Sequence, residues 1–297
     1  MHHTSVRWKI FNGFNILFMI LLSVVILYPY LNVLAISLND NSKTAYTGIM
    51  LIPQAPTFMN FMALFVDNNI QRSAMITVSR VILGVSLTVF VEFCAAYALS
   101  RSQMKRRRLL TMLLMIPMYI SGGLIPTYLL YSRIHLINNP LVYILPGAFA
   151  FFDFILMRTF IKTIPDSLEE SAKLEGANHF QIMIRIMLPL CAPIIATVTL
   201  FNAVGHWNDW TTTLYFITSN KWTTLQFELQ RILREQARLA ALIQNAIMQG
   251  AIPQQVPSTS VGLRSAQIII TTLPIILVYP YLQKYFIKGM LIGGVKE

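Results

Sequence analysis

The chain has 297 residues, 55% of them hydrophobic and only 12% charged, with a mean hydropathy of +0.59. Soluble domains carry about a quarter charged residues, so this composition excludes an ordinary water-soluble globular domain and points to an all-α integral membrane protein. A net charge of +11 with a pI near 9.8 would suit a nucleic-acid partner, but it is read instead as lysines and arginines gathered in cytoplasmic loops, with no nucleic acid involved.

Six runs are long enough to cross a bilayer core, which takes about 20 helical residues: 14–37, 74–99, 109–131, 140–160, 183–214 and 267–287. They make residues 1–297 one transmembrane domain. The first run is too long for a signal-peptide core and has no small-residue cleavage site after it, so it is expected to remain as a span. The second carries Arg80 and Glu92, and a basic cluster follows it, Arg101 and Lys105 to Arg108. Pro117, Gly122, Gly123 and Pro126 interrupt the third run, and the fourth contains Asp153.

Between the fourth and fifth runs lies the polar break "TIPDSLEESAKLEGANHFQ". It predicts a short helix over about 165–177, with Pro165 tolerated at its start, Asp166, Glu169 and Glu170 complementing the N-terminal dipole, and Gly176 ending it. Asn178 with Gln181 predicts a capping box that starts the next helix. The fifth run bears Pro189, Pro193, Asn202 and the element "GHWNDW". A long loop, about 216–266, contains "LQFELQRILREQARLAALIQNAIMQG", whose periodicity predicts a helix with Arg231, Arg234 and Arg238 on a charged face. The segment "AIPQQVPSTS" follows before the last run.

Six spans put both termini on one side. The basic residues at segment ends favour that side, which places both termini in the cytoplasm and the 165–177 helix there too. Cys94 and Cys191 sit in apolar runs without metal-ligand spacing. No phosphate-loop, zinc-hydrolase or triad motif is present, so the chain is expected not to be an enzyme.

The small residues Ser171, Ala172 and Ala177, flanked by Glu169, Glu170 and Glu175, form a knob suited to a groove on a soluble partner. The pattern Glu170-Ser171-Ala172, Glu175-Gly176-Ala177 and, further on, Leu188-Pro189 resembles the "EAA" signature of permease subunits of bacterial binding-protein-dependent ABC importers. Ser171 replaces the usual Ala and Glu175 the usual Asp. "GGLIPTYLL", "LPGAFAFFDFILMRTF", "AVGHWNDW" and "LPIILVYPYLQKYFIKGMLIGGVKE" are similar to the carbohydrate branch of that family, related to the MalG subunit of the maltose transporter. Importers of alginate- or pectin-derived acidic oligosaccharides belong to the same neighbourhood.

The resemblance implies a type I importer fold in the bacterial inner membrane. It implies a coupling helix at 165–177 that inserts into an ATPase subunit, with the C-terminal tail reaching the same interface. The implied partners are a second, homologous permease, two ATPase subunits that bind ATP and Mg, an extracytoplasmic binding protein and an oligosaccharide; this chain binds no cofactor itself. Ionisable residues inside spans default to the bundle interior or a water-filled path. Arg80, Glu92, Asp153, Asn202, His206, Asn208 and Asp209 are therefore expected along the substrate pathway, Trp207 and Trp210 offer faces for sugar stacking, and Arg80 suits an acidic sugar. An interfacial aromatic belt explains "GHWNDW" equally well. The arginines of the long loop are expected to meet the binding protein, with an insertion that packs only on its own chain the equal alternative. The alternative function is an ion-gradient-driven secondary transporter or channel, which has no need of a helix fitted to another protein.

Overall fold

The structure is a computed structural model that describes residues 6–40, 50–101, 104–248 and 261–294. The described residues are helical throughout apart from turns and one isolated bridge between Asn39 and Pro56. In order the helices are α1 (Val6–Ser37), α2 (Met59–Val66), α3 (Asn68–Ser100), α4 (Arg107–Tyr119), α5 (Leu124–Arg133) and α6 (Phe151–Ile161), then α7 (Asp166–Leu174), α8 (His179–Ile182), α9 (Leu188–Leu190), α10 (Ala192–Asn208), α11 (Thr211–Phe216), α12 (Leu225–Met248) and α13 (Val261–Gly294).

Three of these are long and apolar enough to cross a membrane unbroken: α1, α3 and the first half of α13. Each starts six to eight residues before the run read from hydropathy, because a helix continues past the bilayer core while its backbone bonds hold. The third and fifth expected spans are not single rods. α4 and α5 meet at 114°, and the α8–α9 stretch meets α10 at 78°. At the first bend Gly123 takes φ +80, open to glycine and costly for other residues. At the second, Met183–Met187 forms a π-helical turn and Pro189 and Pro193 each remove a backbone donor, the usual cause of a sharp kink. The expected fourth span, 140–160, is a 3-10 turn at Pro140–Tyr143, a loop through Pro146 and Gly147, and then the 11-residue α6. Apolar composition is continuous there, but backbone hydrogen bonding is not.

The chain falls into two compact units, residues 1–71 with 231–272 and residues 72–230 with 273–297. In the first, α1 exposes nearly all of its apolar side chains, a surface compatible with hydrocarbon rather than water. Just past α1, the Asn39 side-chain oxygen accepts from the Gln54 and Ala55 amides at 3.0 and 2.9 Å. The second unit has a core of Phe93 and Ala96 from α3, Phe154 and Met157 from α6, Ile182 and Met187 from the α8–α9 stretch, and Val198 from α10. That core packs side chains of α3, α6 and α10 together and brings their polar residues near one another.

Candidate functional site

The polar break folds as its local chemistry dictates. α7 begins behind Pro165, with Asp166 and Glu169 in its first turn and Lys173 in its last, all favourable to the helix dipole. It ends in a Schellman motif: Gly176 has φ +86, its N–H reaches Lys173 O at 3.0 Å, and the Ala177 N–H reaches Ala172 O at 3.0 Å. The capping box follows immediately, with Gln181 N to Asn178 Oδ1 and Asn178 N to Gln181 Oε1 both at 2.9 Å. Helix, glycine turn and second helix are thus each specified by neighbouring residues.

The two faces of α7 differ. Glu169 is buried and forms an ion pair with Arg101 just past α3, with Lys173 Nζ 3.1 Å away. Arg101 in turn lies over the Tyr97 ring, 4.4 Å from its centroid. Ala172 packs into the core and Ala177 lies half-buried against it. Glu170, Ser171, Glu175 and Gly176 are exposed. Sequence reasoning missed Leu174, 90% exposed on that outer face, and Phe180, 64% exposed just beyond the turn. The signal was available: a large apolar residue one turn after Glu170 and Ser171 on an otherwise charged helix.

A second polar site lies between α3, α6 and α10, around a cavity of about 380 Å³ whose lining includes Arg80, Tyr143, Asp153, Asn202, His206, Asp209 and Thr212. Arg80 forms an ion pair with Asp209, donates to the Asp209 carbonyl at 2.8 Å and lies 4.7 Å from the Tyr143 ring centroid. Asp209 also starts α11. Its Oδ1 accepts from the Thr211 and Thr212 amides at 2.9 and 3.1 Å, and its two oxygens take the hydroxyls of Thr211 and Thr212 at 2.7 and 2.5 Å. Arg80 is therefore neutralised within the chain and is not a lone cation awaiting an acidic sugar.

The remaining pathway residues divide in two. Glu92 is fully buried, and its Oε1 accepts the Ala150 N–H at 2.8 Å. Asp153 accepts from Asn202 Nδ2 at 2.8 Å, and that amide also reaches Val198 O at 3.0 Å. His206 packs over Gly84 so closely that a Cβ there would lie 2.7 Å from the imidazole. Trp207 and Trp210 are half-buried and Asn208 is exposed, and none of the three lines the cavity; its aromatic walls are Tyr143, Phe149 and Phe201. Arg231, Arg234 and Arg238 are exposed on α12, where the expected helix is present. The segment 251–260 that follows, and the end of the expected C-terminal tail at 295–297, lie outside the described residues.

Comparison with known proteins gives a consistent result. Residues 93–292 match the family model described as binding-protein-dependent transport system inner membrane component. Protein LplC of Bacillus subtilis is 36% identical over all of this chain and 98% of its own length. The polygalacturonan/rhamnogalacturonan transport system permease protein YtcP, also of B. subtilis, is 34% identical over 94% of this chain and 96% of its own. A chain in the crystal structure of a bacterial ABC transporter involved in the import of the acidic polysaccharide alginate superposes with a TM-score of 0.83 at 26% identity, covering 96% of this chain and 100% of that one.

Proposed function

Because the chain belongs to the family of inner-membrane components of binding-protein-dependent transport systems, we propose that it forms half of the membrane pathway of an ATP-driven oligosaccharide importer. A second, homologous permease completes the pathway, and an extracytoplasmic binding protein delivers the sugar. The three unbroken spans and the two bent pairs make five crossings; the loop and α6 over 140–161 supply the sixth, and both termini are then cytoplasmic, in keeping with the basic residues at the segment ends.

In this reading α7 is the coupling helix. Its outer face presents Glu170, Ser171 and Leu174, a small and partly apolar surface with one acid, which suits a cleft on an ATPase subunit carrying bound ATP and Mg. Its inner face is fastened through Glu169 to Arg101, so motion of α7 carries α3 with it. Alternating access then needs only rigid-body displacement of helices between two arrangements.

The cavity at Asn202, His206 and Tyr143 has the hydrogen-bonding groups for sugar hydroxyls. The cargo proposed is an oligosaccharide of the pectin or alginate class. The observation that carries this is the similarity along nearly the whole chain to a polygalacturonan/rhamnogalacturonan permease. Because Arg80 is internally neutralised, recognition of acidic groups falls to the binding protein and the second permease. The exposed arginines of α12 are assigned to contact with that binding protein.

The test is uptake by the assembled importer in vesicles, with its binding protein and a panel of neutral and uronic-acid oligosaccharides. Binding-protein-dependent uptake of oligogalacturonides or alginate oligomers is expected. Uptake that ignores the binding protein, or that follows an ion gradient without ATP, would sink the proposal.

A further inference from the structure

Two helices that pack together each contribute a pair of cations to one small cavity of about 310 Å³. On α4, Arg108, Met112 and Met115 lie at i, i+4 and i+7 and so share one face. That face runs from charge to apolar over about 10 Å of helix. Across from it, Arg158 and Lys162 are spaced i, i+4 at the end of α6, and Arg107 closes the rim. Among the described residues none of the four cations forms an ion pair, and no carboxylate lines this cavity. Asp166, Glu169 and Glu170 line the neighbouring one, which shares Arg107 and Lys162 as walls. Burial and the nearby Arg158 and Arg107 hold the Lys162 ammonium below its ordinary range.

The start of α4 adds to this positive field. Arg106 takes φ 62 and provides no side-chain cap, and the first turn has no acidic residue. Among the described residues the first amides therefore have no intrahelical or side-chain acceptor, and the positive end of the dipole points to the same rim. Four convergent cations with no anion among them, beneath a wall of two methionines, match one kind of ligand: a phosphate with hydrocarbon attached.

We propose that Arg107, Arg108, Arg158 and Lys162 bind the phosphate of an anionic membrane lipid, whose acyl chain follows Met112 and Met115 along α4. This assignment requires α4 and α6 to be embedded in the bilayer and is independent of the cargo. Arg158 has a second task, since its Nε donates to Leu99 O at 3.0 Å. Arg107 also faces the neighbouring cavity. Arg108 lines this cavity only and is the position to change on α4; at the end of α6 it is Lys162, which like Arg107 also lines the neighbouring cavity, because Arg158 is held by Leu99.

The experiment uses the complete importer in nanodiscs of phosphatidylcholine with phosphatidylglycerol, extracted and weighed by native mass spectrometry. The wild-type complex is expected to retain phosphatidylglycerol in preference to phosphatidylcholine. Arg108→Gln with Lys162→Gln should weaken that retention roughly 30-fold, while Arg108→Lys with Lys162→Arg should preserve it. Inorganic phosphate added to the discs should not displace the lipid; displacement would assign the site to a free phosphate and overturn the lipid. No preference for phosphatidylglycerol in the wild type overturns the site altogether, as does undiminished retention in the glutamine variant. The wild-type measurement decides the matter even if the glutamine variant does not assemble.

Discussion

Glu92 on α3 accepts the N–H of Ala150, the residue that opens α6, at 2.8 Å. The Ala150 N–H is one of the donors that a helix start leaves without an intrahelical acceptor, and a carboxyl oxygen from a neighbouring helix takes it. The cap also explains why a fully buried acid is tolerated inside a long apolar helix, since the N-terminal dipole of α6 favours it.

Replacing Glu92 with Ala should therefore destabilise the purified complex by about 1–3 kcal/mol, the usual cost of a buried donor left without its acceptor. Glu92→Gln keeps an acceptor oxygen and should be close to neutral. Thermal melting in detergent separates the two. Equal losses for Ala and Gln would mean that the charge, rather than the hydrogen bond, is what α6 requires.

Arg80 and Asp209 form a second dependency. Asp209→Ala removes the partner of a buried guanidinium and the amide acceptor at the start of α11. The expected loss is about 3–5 kcal/mol for the broken pair. Arg80→Met should cost less, because Asp209 keeps its four bonds to Thr211 and Thr212. In a double-mutant cycle the combined variant should regain most of the pair's cost but not the capping share, about 1 kcal/mol. Additive single losses would show that the two side chains are not coupled.

At Gly84 the space is already taken by His206. Gly84→Ala should push the imidazole into the cavity, costing about 1–3 kcal/mol by overpacking and lowering uptake. Adding His206→Ala should restore the room and the stability. If stability returns but uptake does not, His206 contributes to the pathway beyond occupying volume.

The outer face of α7 is testable without touching its core. Leu174→Glu and Glu170→Lys change only exposed positions, so the chain should insert and fold normally while less ATPase subunit copurifies. Gly176→Val faces a different obstacle, a φ of +86 that costs a branched residue about 1–2 kcal/mol. It should uncouple ATP hydrolysis from uptake more than Gly176→Asn does. Normal coupling in all of these variants would remove α7 from the ATPase interface.

Much of this was readable from residue chemistry. The α7 helix, its glycine stop and the Asn178–Gln181 box depend on neighbours within four residues, and the sequence states those directly. The bends at 120–123 and 191 were legible only as prolines and glycines, because hydropathy counts apolar residues and is blind to a missing N–H. The pairing of Arg80 with Asp209 joins positions 129 residues apart, and nothing local distinguishes it from two independent pathway charges. Arg80 consequently reads as a sugar-attracting cation until the fold supplies its partner. The two tryptophans of "GHWNDW" show the reverse: their chemistry suits stacking on a sugar, but in the fold neither lines the cavity.

One consequence follows from the pairing of Arg101 with Glu169. Arg101 continues α3, the helix that also carries Arg80 and Glu92, and Arg80 lies about 30 Å further along it. A helix transmits force along its axis through its own backbone bonds, as a connecting rod does. If α7 is the coupling helix, the surface helix and the buried cavity are joined by one side-chain pair and one shaft, and whatever grips α7 pulls on both.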